Sequence, residues 1–306
     1  CEGMTVSGDD IYITGRFESS FTIGSTTLNS AGLSDVYVAR LSGAGVVQNA
    51  FRFGSNAANE WSNAIAIASN GDVLVGGGYD SGTADIGGRS LVNLGSADGF
   101  YARFPAIGGA SISAGRITSA VATDYQEVQD VRAGAMGRWY ISGRYDNQAL
   151  IGGETLFGTG PGGNAPFLAA VRDSDGSIAW AIGTTTANGS YIGMRRFHVG
   201  PGEELRGLFN ANYTPTSRFG TVSLMPGPGG PAVNGFSGPQ IPYVDGATGV
   251  VNRIESLVTG GSLTSSSFGI AADGHNVIAG FTGGGSAGPT MFTTRDIDHF
   301  LLMTGF

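Results

Sequence analysis

Side chains that could bind a metal or act as catalysts are few and widely spaced in this chain. Its three histidines occupy different positions in the surrounding pattern: His198, His275 and His299. Asp296, Asp298 and His299 form the densest group of potential metal ligands. Asp298, however, recurs as Asp35 and Asp98 in similar segments, and this favours a structural role. We therefore predict a carboxylate that accepts hydrogen bonds from neighbouring backbone N–H groups, and no metal.

Three short motifs have spacings known from cofactor, catalytic or calcium loops. Gly158 to Gly163 fits G-x-G-x-x-G, but a dinucleotide site needs a helix next, and a strand pattern follows here. Gly284 to Gly288 fits G-x-S-x-G, which needs a strand-to-helix turn with acid and histidine partners. A calcium loop at Asp173 and Asp175 lacks the further ligands that such a loop requires. We predict no catalytic residue and no cofactor, and hence not an enzyme.

The segment from Trp61 to Arg116 indicates which elements position the side chains of this protein. Its first strand pattern, at 63–68, is followed by Asn70-Gly71, a hairpin signal because both residues tolerate positive φ. Further strand patterns lie at 72–79, 98–104 and 110–117. Ile86-Gly87 marks a tight corner, where glycine avoids a Cβ clash. The segment thus predicts four short β-strands joined by glycine-rich turns.

Features of this segment recur along the chain at intervals of roughly 60–70 residues, or twice that. The glycine of the second strand appears as Gly15, Gly77, Gly143 and Gly280. The corner appears as Ile23-Gly24, Ile86-Gly87, Ile151-Gly152 and Phe219-Gly220. The aspartate that opens the third strand appears as Asp35, Asp98 and Asp298. Radial repetition of a four-stranded unit is the plan of a β-propeller.

We therefore predict an all-β chain, a β-propeller of about five four-stranded blades in one domain. The predicted repeat units are about 1–59, 60–123, 124–189, 190–260 and 261–306. The last blade is expected to be incomplete, because its patterns at 267–271, 276–281 and 299–303 leave no fourth strand. The alternatives are a shorter last blade and a missing segment.

An open edge in the last blade would be a template for pairing with another chain. We identify its candidate partner edge as His299, Phe300, Leu301, Leu302 and Met303. A second departure from the repeat is the proline- and glycine-rich stretch within 215–242, whose prolines cannot donate ladder hydrogen bonds. We predict a long surface loop there, which is either a functional loop or an ordinary insertion.

The repeats resemble the bacterial SBBP β-propeller repeat family. The resemblance is carried by NAIAIASNGDVLVGGGYDSGTADIGG and DIYITGRFESSFTIGSTTLNSAGLSDVYVARLSGAGVVQNAFRFG. It covers most of the chain and is weak between 200 and 245. It implies a secreted or surface-exposed bacterial protein, in a family whose biochemical roles are mostly undefined. The family name implies seven blades, so the chain is either a five-bladed ring or part of a longer array.

Composition excludes several classes of function. The net charge of −8 argues against nucleic-acid binding, which usually needs a basic face. All 16 basic residues are arginine, and this excludes catalysis by lysine. The 54 glycines follow no strict Gly-X-Y period, so the chain is not collagen-like. No stretch is long and apolar enough to predict a membrane span.

The single cysteine, Cys1, excludes an intrachain disulfide. Mature bacterial lipoproteins begin with a lipidated cysteine, so Cys1 is the candidate lipidation site. The strand pattern from Glu2 to Val6 follows at once, without the usual flexible tether, and a trimmed chain is the alternative.

From these observations we predict a non-enzymatic extracellular structural or interaction protein, such as a self-assembling surface or filament subunit. Its partner would be a protein, including copies of itself through the open edge. One alternative is a carbohydrate- or ligand-binding propeller module, and another is a hydrolase or lyase with carboxylates in the central channel. The predicted location is outside the cell or on the bacterial surface, including an outer-membrane lipoprotein.

Overall fold

The computed structural model describes residues 1–80, 82–158, 163–184, 190–213, 217–224, 236–256, 258–271, 274–287, 290–292 and 298–304. The chain divides into two compact units. Unit 1 comprises Cys1–Gly143, Gln148–Thr155 and Ala169–Ala181, and unit 2 comprises Arg144–Asn147, Leu156–Leu168 and Ile182–Phe306. A single domain over 1–306 stays a prediction.

Sheet one lies in unit 1 and is antiparallel, in the order β1-β2-β3-β4. Its strands are β1 (Gly3–Ser7), β2 (Asp10–Ile23), β3 (Thr26–Ser42) and β4 (Val47–Phe53). β2 and β3 extend beyond the predicted patterns because they continue past a bulge into a hairpin. Ser19 lies at that bulge with φ of 58°.

Sheet two also lies in unit 1 and has the order β10-β9-β6-β5. Its segment contains β5 (Asn59–Ile67), β6 (Val73–Asp80), β7 (Thr83–Asp85), β8 (Ser90–Val92), β9 (Ala97–Phe104) and β10 (Ser113–Ile117). The Asn70-Gly71 hairpin is confirmed: Gly71 has φ of 88°, and the Asn70 Oδ1 accepts the Asp72 N–H at 3.2 Å. β7 and β8 pair with each other as a separate two-stranded hairpin.

Sheet three has the order β11-β12-β15-β16, beside a two-stranded hairpin of β13 and β14. The strands are β11 (Gln126–Ala133), β12 (Arg138–Tyr145), β13 (Gln148–Ile151), β14 (Glu154–Phe157), β15 (Ala165–Arg172) and β16 (Ile178–Gly183). β12 and β15 contribute residues to both units. All four predicted strands of this repeat are thus present.

The predicted fourth and fifth repeats form one larger sheet in unit 2, in the order β17-β18-β21-β23-β24-β25. In addition, β22 pairs with β21 and β26 pairs with β24. The elements are β17 (Ser190–Val199), a 3₁₀ turn at Pro201–Glu203, β18 (Glu204–Tyr213), β19 (Arg218–Phe219), β20 (Val222–Ser223), β21 (Phe236–Asp245), β22 (Val251–Ser256), β23 (Val258–Ile270), β24 (Asn276–Ala287), β25 (Thr290–Phe292) and β26 (Asp298–Thr304). β21 of the fourth repeat and β23 of the fifth are joined by one parallel backbone pair, Ser237 with Ser262.

The predicted fold class is confirmed: the described residues are all-β and include several four-stranded antiparallel sheets of the kind that make propeller blades. In unit 1, sheets one and two share a hydrophobic core that includes Val36, Phe53 and Phe100. The rings of Phe53 and Phe100 meet edge to face with centroids 5.7 Å apart. Inward alternation of apolar residues therefore builds this core from both sheets.

A fold-back hairpin follows the second strand of each of the first four repeats, and the sequence interpretation missed it. Its turn is the predicted Ile-Gly or Phe-Gly corner, with φ of 59° at Gly24, 62° at Gly87, 61° at Gly152 and 58° at Gly220. A Cβ on Gly24 would lie 2.9 Å from the Val47 Cβ, and one on Gly152 would lie 2.2 Å from the Ile178 Cβ. The corner therefore packs on the start of the fourth strand, and this close approach requires glycine.

The same hairpins contact the preceding repeat. In unit 1, Thr118, directly after β10, forms a β-bridge with Leu150 of β13. In unit 2, Thr184, directly after β16, forms one with Phe219 of β19. Each of these hairpins thus pairs with the residue that follows the fourth strand of the preceding sheet. The outer edge of that fourth strand is therefore less exposed to pairing with another chain.

The prediction that 215–242 is one long loop is wrong at both ends. β19 and β20 form a short hairpin, with Arg218 opposite Ser223. β21 begins at Phe236, inside the predicted loop, and Pro239 and Pro242 lie within it. Residues 225–235 lie outside the described residues. The prolines fit because flanking residues such as Gln240 and Tyr243 carry the pairing with β18.

Candidate functional site

The motifs with catalytic spacing do not form a catalytic site in the described part of the chain. Asp296 and residues 159–162 lie outside it. Asp298 and His299 begin β26, where they pair with Thr282 and Phe281 of β24. Ser286 lies within β24, opposite Met291 of β25, so no strand-to-helix turn presents it as a nucleophile.

The Asp173/Asp175 loop is a turn whose two carboxylates contact neighbouring protein groups. Asp175 Oδ1 accepts hydrogen bonds from the Ser177 N–H at 2.9 Å and the Ser177 hydroxyl at 2.7 Å. Asp173 forms an ion pair with Arg103 at 3.4 Å. Both carboxylates are thus used locally. Among the described residues no three His, Cys, Asp or Glu side chains lie together in a metal-binding arrangement.

The recurring aspartates have the structural role that the sequence predicts. Asp35 Oδ2 accepts the Ala31 N–H at 2.9 Å, and Asp98 Oδ2 accepts the Leu94 N–H at 3.1 Å. Both side chains are fully buried, and the Oδ1 atom of each has no hydrogen-bond partner. Burial raises the pKa of Asp98. The side chain of Asp298 lies outside the described residues.

Two connections in unit 1 repeat this arrangement, and we call them joint one and joint two. Joint one comprises Asp35, residues 52–58 and Glu60, and it leads from β4 to β5. Joint two comprises Asp98 and residues 116–124, and it leads from β10 to β11. In joint one the Ser55 hydroxyl donates to Glu60 at 2.8 Å, and in joint two Ser119 and Asp124 make the corresponding bond at 2.7 Å. Each joint thus contains two buried carboxylates.

Glu60 is the most perturbed acid of joint one. Its Oε1 accepts both the N–H and the hydroxyl of Ser55, whereas its buried Oε2 has no hydrogen-bond partner. Burial, and to a smaller extent the charge of Asp35, raise the pKa of Glu60 to about 8. Arg52 partly offsets the buried charge through an ion pair with Asp35 at 2.6 Å. At neutral pH, Glu60 is therefore mostly a neutral carboxyl group.

An open cleft of about 860 Å³ lies directly outside joint one, and we call it the joint cleft. It is formed by loops of sheets one and two together with the turn of the β7–β8 hairpin. Its walls are Ala31, Arg52, Phe53, Gly54, Ser55, Asn56, Asp85, Gly87, Gly88, Gly109 and Ala110. Arg52, Asn56 and Asp85 are exposed, while Asp35 and Glu60 are buried. The cleft therefore offers one cation, one amide and one carboxylate to a polar ligand.

The sequence interpretation missed this site, although the chain carries a signal for it. Arg52-Phe53-Gly54-Ser55 and Arg116-Ile117-Thr118-Ser119 are similar tetrapeptides at equivalent points of two repeats. Both place an arginine and a serine next to the recurring aspartate. Glu60 and Asp124 each follow the serine of their tetrapeptide by five residues, so this shared spacing is part of the signal.

The remaining predicted site residues are not tested by these observations. Cys1 is exposed, and its Sγ lies 3.4 Å from the Gly3 carbonyl oxygen, but its lipidation stays a prediction. Residues 299–303 lie in β26 as predicted, and their role as a partner edge stays a prediction. The described residues include no helix with the length and apolar character needed to cross a membrane.

Comparisons with known proteins identify no family. No family model matches the sequence and no curated protein matches it significantly, so the SBBP resemblance is not confirmed. Among solved structures the chain is similar to the quinohemoprotein alcohol dehydrogenase ADHIIG from Pseudomonas putida HK5, a β-propeller protein. The identity is 11% and the TM-score is 0.40, over 92% of this chain and 52% of that one. This chain thus spans about half of that enzyme, and so distant a likeness carries no activity or cofactor across.

Proposed function

We propose that this chain is a non-enzymatic interaction module of an extracellular or cell-surface protein, and that the joint cleft receives its partner. The observation that carries the proposal is the cleft itself, with Arg52, Asn56 and Asp85 exposed on its walls. The location is part of the proposal and is supported by the resemblance to secreted repeat proteins.

Binding fits the cleft better than catalysis does. The two carboxylates that could serve as acid and base, Asp35 and Glu60, are completely buried behind the Gly54-Ser55 peptide. Asp35 is held by Arg52 and by a backbone N–H group. A ligand in the cleft would therefore meet backbone, an amide, a cation, the Asp85 carboxylate and the Ser55 hydroxyl, which already donates to Glu60.

Substitutions that fill the cleft test this proposal. Asn56→Trp and Ala110→Trp place a bulky ring at exposed wall positions, and Ala122→Trp places the same ring at an exposed position of joint two. The wild-type protein is screened on a glycan array and on a displayed peptide library. We expect its ligands to bind at least about tenfold more weakly to Asn56→Trp, and unchanged to Ala122→Trp. Equal binding to wild type and Asn56→Trp, or no ligand at all, would refute the proposal.

A second candidate function is assembly through β26. In the described residues, the backbone of His299–Met303 pairs with Ala279–Phe281 and neighbouring residues of β24, and no other described strand pairs with it. A strand with one unpaired side can add a strand from another copy. Electron microscopy of the native protein tests this. Regular polymers that disappear in Leu301→Pro would support it, because proline removes a ladder donor. Isolated particles of one chain would exclude it.

A further inference from the structure

The neighbouring edge strands β5 and β11 of unit 1 carry a second group of side chains that the joint cleft does not include. Trp61 and Asn63 lie on β5, where a bulge at Asn63 interrupts the alternation, and both side chains donate to Glu127 of β11. Tyr125, Glu127 and Gln129 alternate along β11 and the residue before it, so they share one side. We call these five residues the aromatic patch. Its members combine two rings, two amides and one carboxylate.

Glu127 organises the patch. Its Oε2 accepts hydrogen bonds from the Tyr125 hydroxyl at 3.0 Å and the Trp61 Nε1 at 3.4 Å. Asn63 Nδ2 donates to the same oxygen at 3.4 Å, and Gln129 Nε2 donates to Oε1 at 2.8 Å. Glu127 as a whole is only 7% exposed. Its role is therefore to fix the polar ends of both rings and of both amides.

The rings and one oxygen atom remain for a ligand. Trp61 and Tyr125 are partly exposed, and their rings lie 26° from parallel with centroids 6.4 Å apart. Gln129 Oε1 is buried and has no hydrogen-bond partner. An orphaned acceptor calls for a donor from water or a ligand. The patch thus offers apolar ring surface beside an acceptor that lacks its donor.

A sugar ring satisfies both features, because its C–H face packs on aromatic rings while its hydroxyl groups donate hydrogen bonds. A cationic ligand fits less well, since the Glu127 carboxylate already accepts four hydrogen bonds. We propose that the aromatic patch binds a pyranose unit of a carbohydrate, with its ring on Trp61 and Tyr125 and one hydroxyl donating to Gln129 Oε1. This site does not depend on the joint cleft.

Carbohydrate binding with matched variants tests the proposal. The probes are a glycan array and, for the hits, titration calorimetry. Trp61→Ala removes a platform ring, and Trp180→Ala removes a tryptophan that packs on Tyr140, away from the patch. We expect Trp61→Ala to weaken binding at least about tenfold, as loss of an anchoring aromatic does, and Trp180→Ala to leave it unchanged. Gln129→Met, which removes the orphaned oxygen, should weaken it several-fold.

The outcomes separate the two sites. Each variant is first compared with wild type by circular dichroism. If Trp61→Ala is misfolded, Trp61→Phe and Gln129→Met decide the question, because Trp61→Phe keeps a ring and should retain most of the affinity. No glycan binding by wild type, or binding unaffected by Trp61→Ala and Gln129→Met, would overturn the proposal. Glycan binding lost only in Asn56→Trp would assign the sugar to the joint cleft and overturn the aromatic patch.

Discussion

Joint one and joint two connect successive sheets, and each encloses a fully buried aspartate, Asp35 of β3 or Asp98 of β9. In both, that aspartate accepts a backbone N–H from four residues upstream. They differ in how the buried charge is balanced. Arg52 forms an ion pair with Asp35 at 2.6 Å, whereas Arg116 at the equivalent place donates to the Val92 carbonyl at 2.6 Å.

In joint two a hydroxyl contacts the carboxylate directly, while the charge of Arg116 partly offsets the rise that burial causes in the pKa of Asp98. The Thr118 hydroxyl donates to Asp98 at 2.8 Å, while the corresponding residue of joint one is Gly54, which packs directly against Asp35. The comparison teaches that a repeat preserves the buried carboxylate but not its partner. A cation and a hydroxyl can both bind the carboxylate. The stability lost when each is removed, and the dependence of that stability on pH, should differ between the joints.

Among substitutions in the two joints, Gly54→Ala should lower the free energy of unfolding most. Gly54 has φ of 149°, and a Cβ there would lie 2.5 Å from the Asp35 Cγ. We expect a loss of about 4 kcal/mol in unfolding free energy, from backbone strain and overpacking together. Thr118→Ala, the matched change in joint two, should lose about 2 kcal/mol, because it removes the hydroxyl donor of the buried Asp98 carboxylate. Urea denaturation measures both, and similar losses would contradict the assigned difference.

Glu60→Gln should change the pH dependence of stability. The pKa of Glu60 is raised to about 8 in the folded protein, above its ordinary value of 4.5. The folded state therefore holds the proton more tightly, so the contribution of Glu60 to stability is fully present below about pH 4.5 and is lost as pH rises through 8. We expect the wild type to lose on the order of 3 kcal/mol across this window.

Glu60→Gln should flatten this profile and stabilise the protein at pH 9, because glutamine keeps the shape without ionising. Urea denaturation at pH 5, 7 and 9 provides the measurement. Glu18→Gln, at an exposed acid, is the control and should leave the profile unchanged. A profile that is as steep in Glu60→Gln as in wild type would show that another group is responsible. The pKa of Asp98, also raised by burial, adds a loss of stability as pH rises above its ordinary value of 3.8.

Arg52→Ala should cost more than Arg116→Ala. The first change leaves the buried Asp35 charge without its cation, although the Arg52 side chain is 35% exposed, which weakens the pair. We expect a loss of about 2 kcal/mol, below the range for fully buried pairs. Arg116→Ala should lose about 1 kcal/mol, since a carbonyl partner can be rehydrated. Thermal unfolding of the two variants measures the order, and the reverse order would contradict the proposed charge balance.

Ser55→Ala and Ser119→Ala should have the smallest and most similar effects. Each hydroxyl bonds to a carboxylate and also accepts a backbone N–H of its own joint. Ser55 accepts the Ala58 N–H at 3.2 Å, and Ser119 accepts the Val121 N–H at 3.0 Å. We expect each change to lose about 1 kcal/mol. Chemical denaturation checks this, and a difference of about 2 kcal/mol or more would mean that the joints do not share this feature.

Much of the backbone could be predicted from the chain. The Asn70-Gly71 hairpin, the corner glycines and the recurring aspartates are local features, and each follows from positive φ or from a short-range hydrogen bond. The fold-back hairpins were missed because strands of two to four residues, such as β7 and β19, give no alternation that a pattern can detect. The early start of β21 was missed because Pro239 and Pro242 made its segment read as a loop.

The sequence by itself determined the all-β class, the repeat and the places where glycine and aspartate must stand, since these depend on residues close together along the chain. Only the tertiary structure decided that Glu60 lies beside Asp35, that Arg52 is the cation of joint one and that Glu127 gathers two rings and two amides. These contacts join different strands, and the packing of one sheet on the next sets their distances and burial. Burial then sets the charge of Glu60, which the residue type alone does not reveal.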